Sequence, residues 1–193
     1  MAFDYTPTSI ADIVYADDAT EQLIKDLVSG ARPYPYSGRN GILLYGTPGT
    51  GKTTLGKLLP AAIENARGGR PGYTVCDEKI QPDNNGVDLF ARLKNSIEHV
   101  TGDAIYWHVV LDEVDLLTPV VMGSLKSLMD TPTALWVLIT NNVNKINLAV
   151  KDRCHMIAFN AAPADRWLPF AHRVMADYGV APIDDGVLRS VID

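Results

Sequence analysis

The stretch GILLYGTPGTGKTTLGKLL, residues 41 to 59, joins two patterns that no single element of secondary structure can hold. Ile42, Leu43, Leu44 and Tyr45 form a continuous run of strand length, whereas Leu55, Leu58, Leu59, Ala62 and Ile63 recur at helical spacing. The turn between them fits G-x-x-x-x-G-K-[ST] at Gly46, Gly51, Lys52 and Thr53. Glycines let a backbone wrap a phosphate chain with its N–H groups pointing inward, at the positive end of the following helix. The candidate cradle is Gly46, Thr47, Pro48, Gly49, Thr50, Gly51, Lys52, Thr53 and Thr54. In such a P-loop Lys52 reaches the β and γ phosphates of ATP, and the Thr53 hydroxyl binds Mg²⁺. The flanking strand and helix separate this reading from a chance glycine-rich turn.

The rest of the chain alternates in the same way, without internal repeats or low-complexity tracts. Thr20 is a candidate cap for a helix whose Leu23, Ile24, Leu27 and Val28 form one face before Gly30 stops it. ARPYPYSGRN, residues 31 to 40, reads as a loop. GYTVCDE supplies a strand, and Leu89, Leu93, Ile97 and Val100 a helix face. IYWHVVLDEVD holds the next strand, Thr118 and Pro119 open a helix over VVMGSLKSLM, and LWVLIT and HMIAF complete a set of five strands. Strands separated by helices predict a parallel sheet covered on both faces, with ligands at the carboxyl ends of the strands. Pro60, inside the helical pattern after the loop, is expected to end or kink that helix.

Composition sets outer bounds. The length of 193 residues suits one domain or slightly more, and 47% apolar content can fill its core. A net charge of −6 argues against a broad basic surface for nucleic acid. No apolar run reaches the length of a membrane span and no leader pattern precedes the first strand, so the reading is cytoplasmic, with no membrane partner. Cys76 and Cys154 lack metal-ligand spacing and read as small core residues. His99, His108, His155 and His172 show no such spacing either, and Trp107, Trp136 and Trp167 sit in apolar runs where core packing is expected.

A second constellation narrows the chemistry. WHVVL runs into Asp112, Glu113, Val114 and Asp115, which places carboxylates at a strand's carboxyl end beside the phosphates. Asp112 is the candidate Mg²⁺ ligand, through water, and Glu113 the general base for an attacking water. A metabolite kinase takes its nucleophile from the substrate and needs no such glutamate, so hydrolysis is favoured. The next strand ends at Asn141 and Asn142, where an amide can orient that water or simply start a turn. Arg153 is either a solvated charge or an arginine finger acting on a neighbouring subunit's nucleotide.

With these residues in view, the chain resembles AAA+ ATPases. The resemblance rests on GTPGTGKTT (46 to 54), LDEVDLLT (111 to 118), LKSLMD (125 to 130), LITNN (138 to 142) and DRC (152 to 154). It is closest to the clamp-loader ATPase subunits of DNA replication, of the replication factor C and phage type. Residues 6 to 28 resemble that family's amino-terminal box, which implies Val14 and Tyr15 near the adenine. The resemblance further implies Asn141 as sensor 1, Arg153 as a finger acting in trans, and a five-stranded parallel sheet of order 5-1-4-3-2. Implied partners are ATP and ADP, other AAA+ subunits in a homo- or hetero-oligomer, and DNA with a sliding clamp. A remodeller of a protein partner without DNA and a non-catalytic ATP-binding subunit are the alternatives.

Departures from the family pattern are specific. Asp152 stands where the family has serine, beside Arg153 and able to pair with it. Met122 and the single basic Lys126 stand where it usually has glutamine and paired arginines that touch DNA. The expected division is a nucleotide-binding domain over 1–160 and the start of a helical lid over 161–193, apparently truncated. Arg189 falls too early for a sensor-2 arginine and reads as a solvated helix charge.

Overall fold

The computed structural model describes residues 3–36, 38–70, 75–81, 87–97 and 103–192. Strands β1 (Gly41–Tyr45), β2 (Val75–Lys79), β3 (Trp107–Asp112), β4 (Ala134–Thr140) and β5 (Cys154–Ala158) form one sheet. All registered pairs are parallel, and the order β2-β3-β4-β1-β5 is the predicted 5-1-4-3-2 read from the other edge. Around it lie α1 (Asp18–Ser29), α2 (Lys52–Arg67), α3 (Val87–Ser96), α4 (Pro119–Leu128), α5 (Leu148–Lys151), α6 (Ala164–Asp177) and α7 (Asp185–Ile192). Gly72, Tyr73 and Thr74 of the predicted second strand, Val100 of the predicted helix face and His99 lie outside the described residues.

Side chains alternate across a strand, so each strand feeds two cores. Ile42 and Leu44 pack with Leu55, Leu59 and Ile63 of α2 and with Ile24 and Leu27 of α1. Leu43 faces the other way, into a core shared with Leu89 and Leu93 of α3 and Val121 and Leu125 of α4. The central strands carry apolar residues on both faces for this reason, and β4 is buried along its whole length.

One local expectation is corrected and one is narrowed. The cap of α1 is Asp17, not Thr20: the Thr20 N–H donates to Asp17 Oδ1 at 2.7 Å from inside the first turn. A carboxylate at that position also answers the positive end of the helix, which a hydroxyl does less well. Pro60 does not end α2, which runs from Lys52 to Arg67 with the proline inside it. An interior proline costs about 3 kcal/mol. Burial of Leu55, Leu59 and Ile63, each worth about 1.5–3 kcal/mol, outweighs that. By contrast Thr118 caps α4 as read, with Pro119 at the first helical position.

The far half of α2 is tied to the start of β3 by a buried polar cluster. Glu64, with no exposed surface, accepts N–H donors from Ile105 at 2.8 Å and Tyr106 at 3.0 Å, and its Oε1 lies 2.7 Å from His108 Nε2. Burial holds the His108 imidazole below its usual pKa, against the opposing pull of Glu64. Cys154 is buried and Cys76 half-buried, and burial pushes their thiols up to about 12 and about 11. Both are core residues, as read.

Candidate functional site

The site lies where β1, β3 and β4 end. β1 delivers the chain into the P-loop at Gly46, whose φ of 147° and distance of 2.6 Å from an added Cβ to the Phe159 carbonyl oxygen exclude a side chain there. Gly51 caps α2 at φ 91°, so the loop turns directly into the helix amino terminus. Lys52 is almost fully buried, and its ammonium donates to the Thr47 carbonyl at 2.5 Å and to Thr50 Oγ1 at 3.4 Å. Burial lowers its pKa, and the nearby Asp112 opposes that shift.

Asp112 closes β3 and receives the Thr53 hydroxyl on Oδ2 at 2.7 Å. Its Oδ1 accepts the Glu113 N–H at 2.8 Å. The donor set here is a hydroxyl and a carboxylate in contact, two hard oxygen groups of the kind that Mg²⁺ takes. Glu113 follows with φ 58° and ψ 40°, the one non-glycine residue at positive φ among the described residues. A bulky residue in that region is strained, and such strain concentrates at functional positions. Glu113 Oε1 sits 3.0 Å from Lys79 Nζ.

A cavity of about 360 Å³ brings together Lys52, Thr53, Asp112, Glu113, Asn141 and Lys79. Five of these six were read from the sequence. Lys79 was not: it ends β2, and only the register that sets Lys79 against Asp112 brings it in. Asn141 reaches the cavity at the end of β4. Asp115 of the same acidic run is directed elsewhere: it accepts the Thr140 hydroxyl at 2.7 Å, and Thr140 Oγ1 accepts the Asn142 N–H at 2.9 Å. The run after β3 thus anchors the chain on both sides of Asn141.

A second cavity, of about 290 Å³, adjoins across the loop and shares Gly49, Gly51 and Thr54 with the first. Its apolar walls include Ile13, Val14, Trp167 and Phe170. Of the two residues that the resemblance implied near the adenine, Val14 lines this cavity and Tyr15 does not: its ring is buried against Phe159, and its hydroxyl donates to the Ile10 carbonyl at 3.0 Å, so it supports the wall from behind. Trp136 is fully buried and Trp107 packs on the core, as expected, whereas Trp167 lines this cavity. Nothing in its local pattern distinguished it from a core tryptophan.

Arg153 stands apart from both cavities. Register pairs Gly41 with Cys154, so Arg153 precedes β5 at the amino end of the sheet while the P-loop follows Tyr45 at the carboxyl end. At about 3.3 Å per residue, the strand between them spans roughly 13 Å. Its guanidinium is paired with Asp130, at 2.8 Å from Nε and 3.1 Å from Nη2, rather than with the neighbouring Asp152. Arg189 pairs with Asp165 between α7 and α6, as a surface charge does. No group of three or more potential metal ligands of the His, Cys, Asp and Glu types occurs among the described residues, and no described helix is long and apolar enough to cross a membrane.

Comparison with known proteins agrees with this geometry. Replication factor C subunit 4 of Encephalitozoon cuniculi is 27% identical over 159 residues, covering 81% of this chain and 47% of that protein. The replication factor C small subunit of Methanoregula boonei is 30% identical over 164 residues, covering 80% and 46%. Among solved structures, a DNA polymerase III gamma subunit-related protein of Thermotoga maritima superposes with a TM-score of 0.60 at 16% identity, covering 82% of this chain and 50% of that one. A chain of the HORMA:CdnC:Trip13 complex of E. coli MS115-1 gives 0.68 at 12% identity, covering 100% and 77%. The chain spans about half the length of the curated relatives it matches. The model of the ATPase family associated with various cellular activities matches residues 42–161, from β1 through β5 and so across both the P-loop and the run of Asp112 and Glu113, and the chain belongs to that AAA family.

Proposed function

We propose that this chain binds ATP with Mg²⁺ and hydrolyses it to ADP and phosphate, as one subunit of an oligomer of the clamp-loader kind in DNA replication or DNA metabolism. The convergence of Lys52, Thr53, Asp112, Glu113 and Asn141 on one cavity carries the reading. Lys52 would neutralise the β and γ phosphates from a buried ammonium. Thr53 and Asp112 would hold Mg²⁺, which when bound draws charge off the triphosphate. Glu113 takes the proton of the attacking water as its oxygen bonds to the γ phosphorus, and the bond to the bridging oxygen breaks to release ADP. Asn141 orients that water through its amide. The adenine belongs between Val14 and the aromatic side chains of α6, in the adjoining cavity.

Arg153 belongs to a neighbouring copy's nucleotide in this reading, because it stands at the wrong end of the sheet for its own. A nucleotide domain over 1–160 with α6 and α7 beginning a lid fits the same picture, since α6 supplies Trp167 and Phe170 to the base cavity. A DNA role rests on the replication names of the relatives, and a sliding-clamp role on the resemblance to clamp-loader subunits. Stimulation of turnover by primed DNA separates it from remodelling of a protein partner.

The direct test is a pair of variants. Lys52→Ala is expected to abolish binding in an ATP·Mg titration, and unchanged affinity removes the P-loop assignment. Glu113→Gln is expected to bind ATP normally and to lose about 10²- to 10⁴-fold in turnover. Wild-type turnover in that variant removes Glu113 as the base.

A further inference from the structure

The segment LKSLMD, residues 125 to 130, contributes nothing to the cavities described above, yet its last residue has a defined partner in another element. Asp130 lies just past the end of α4. Both of its carboxylate oxygens accept from Arg153, Oδ1 from Nε at 2.8 Å and Oδ2 from Nη2 at 3.1 Å. The third nitrogen is also engaged: Nη1 donates to the Ala149 carbonyl at 2.9 Å, within the last turn of α5.

A guanidinium carries five N–H donors in one rigid plane. Three are taken here, which leaves one N–H on Nη1 and one on Nη2 without a partner among the described residues. Three bonds to two separate elements fix both the position and the plane of the group, so the direction of the two remaining N–H groups is fixed as well. A lone arginine at such a place would be a long, freely rotating chain. The pair stands at the surface rather than in the core, with the Arg153 side chain 21% exposed and that of Asp130 57%.

We infer that Asp130 is a positioning residue for the Arg153 finger, holding its guanidinium so that the two uncommitted N–H groups are presented as a preformed fork to a phosphate on a neighbouring copy. This rests on the trans reading of Arg153 given above. The carboxylate touches no substrate; it acts through the arginine. It also couples α4, which follows the Glu113 segment in one copy, to the group that copy offers to the next.

The test is steady-state ATP hydrolysis at concentrations where sedimentation shows assembly. Arg153→Ala is expected to lower turnover by about 10³-fold or more. Asp130→Ala, which keeps the arginine but releases it, is expected to lower turnover by about 10- to 10²-fold, with KM for ATP and sedimentation unchanged and with partial recovery in Asp130→Glu. Direction is the decisive readout. An Asp130→Ala subunit mixed with Glu113→Gln subunits regains turnover, because its own intact site receives a normal finger. A subunit carrying both Asp130→Ala and Glu113→Gln rescues Arg153→Ala about 10- to 10²-fold less well than a Glu113→Gln subunit does. Loss of activity in both mixtures, or unchanged or raised turnover in Asp130→Ala alongside a defective Arg153→Ala, overturns the positioning role and leaves the finger standing. Wild-type turnover in Arg153→Ala overturns the finger itself and the inference with it.

Discussion

At the scale of single residues, the contact between Lys79 and Glu113 carries a prediction of its own. The Lys79 ammonium, 3.0 Å from Glu113 Oε1, competes with water for the oxygen that must take the proton. Removing it in Lys79→Ala frees that oxygen. The Lys79 side chain is 61% exposed, and pairs of this kind are worth about 0.2–1 kcal/mol. Since about 1.4 kcal/mol corresponds to tenfold in rate, basal turnover should rise by no more than about fivefold in a steady-state assay. A fall instead would assign Lys79 to the phosphates. The residues of this site that were legible in the sequence fall in short runs that begin at a strand's end, the P-loop after β1, Asp112 and Glu113 at the end of β3 and Asn141 after β4, so strand and chemistry are read together. Lys79 also ends a strand, but like Asp130 it stands in no such run and is recruited by a register or a pairing between elements distant in sequence.

At the scale of elements, helix α2 shows how tertiary burial overrides a local rule. Its apolar face was plain from Leu55, Leu59 and Ile63, but the outcome at Pro60 was not, since local propensity contains no term for what packs on the helix. The same helix carries Glu64, whose removal has consequences for β3. Glu64→Ala leaves the part-buried Ile105 and Tyr106 N–H groups and the buried His108 ring without their acceptor. At about 1–3 kcal/mol for a buried unsatisfied group, and less for one that water reaches, the variant should lose at least about 1 kcal/mol in urea unfolding. A loss under about 1 kcal/mol would mean that water replaces the carboxylate. Helix α6 was legible as a helix, yet its share in the base cavity was not. A half-buried aromatic residue on an amphipathic face looks the same in sequence whether it meets core or ligand.

For the whole molecule, the order of the sheet followed from the family resemblance, while its two-faced burial was already visible in the uninterrupted apolar runs 42–45 of β1 and 135–139 of β4. Its response to acid follows from two imidazoles. His108 and His155 are both held below the usual value of 6.5, chiefly by burial, with Arg32 and Arg39 adding to the effect at His155. The folded state therefore prefers both rings neutral. Their contribution is fully present above about pH 6.5 and is lost as pH falls toward the folded values, because the unfolded chain binds the protons first. The urea midpoint should accordingly be lower at about pH 5.5 than at about pH 7.5, and an equal or higher midpoint would show that the rings titrate as free histidine does. A last consequence comes from the placement of Arg153 at one end of the sheet and the P-loop at the other. Under the trans reading each copy gives at one end and receives at the other, so a row of n copies completes only n − 1 sites and always terminates in a subunit that has no donor. Turnover per subunit would then climb with the length of the row as 1 − 1/n, and only a row closed on itself would have no idle member.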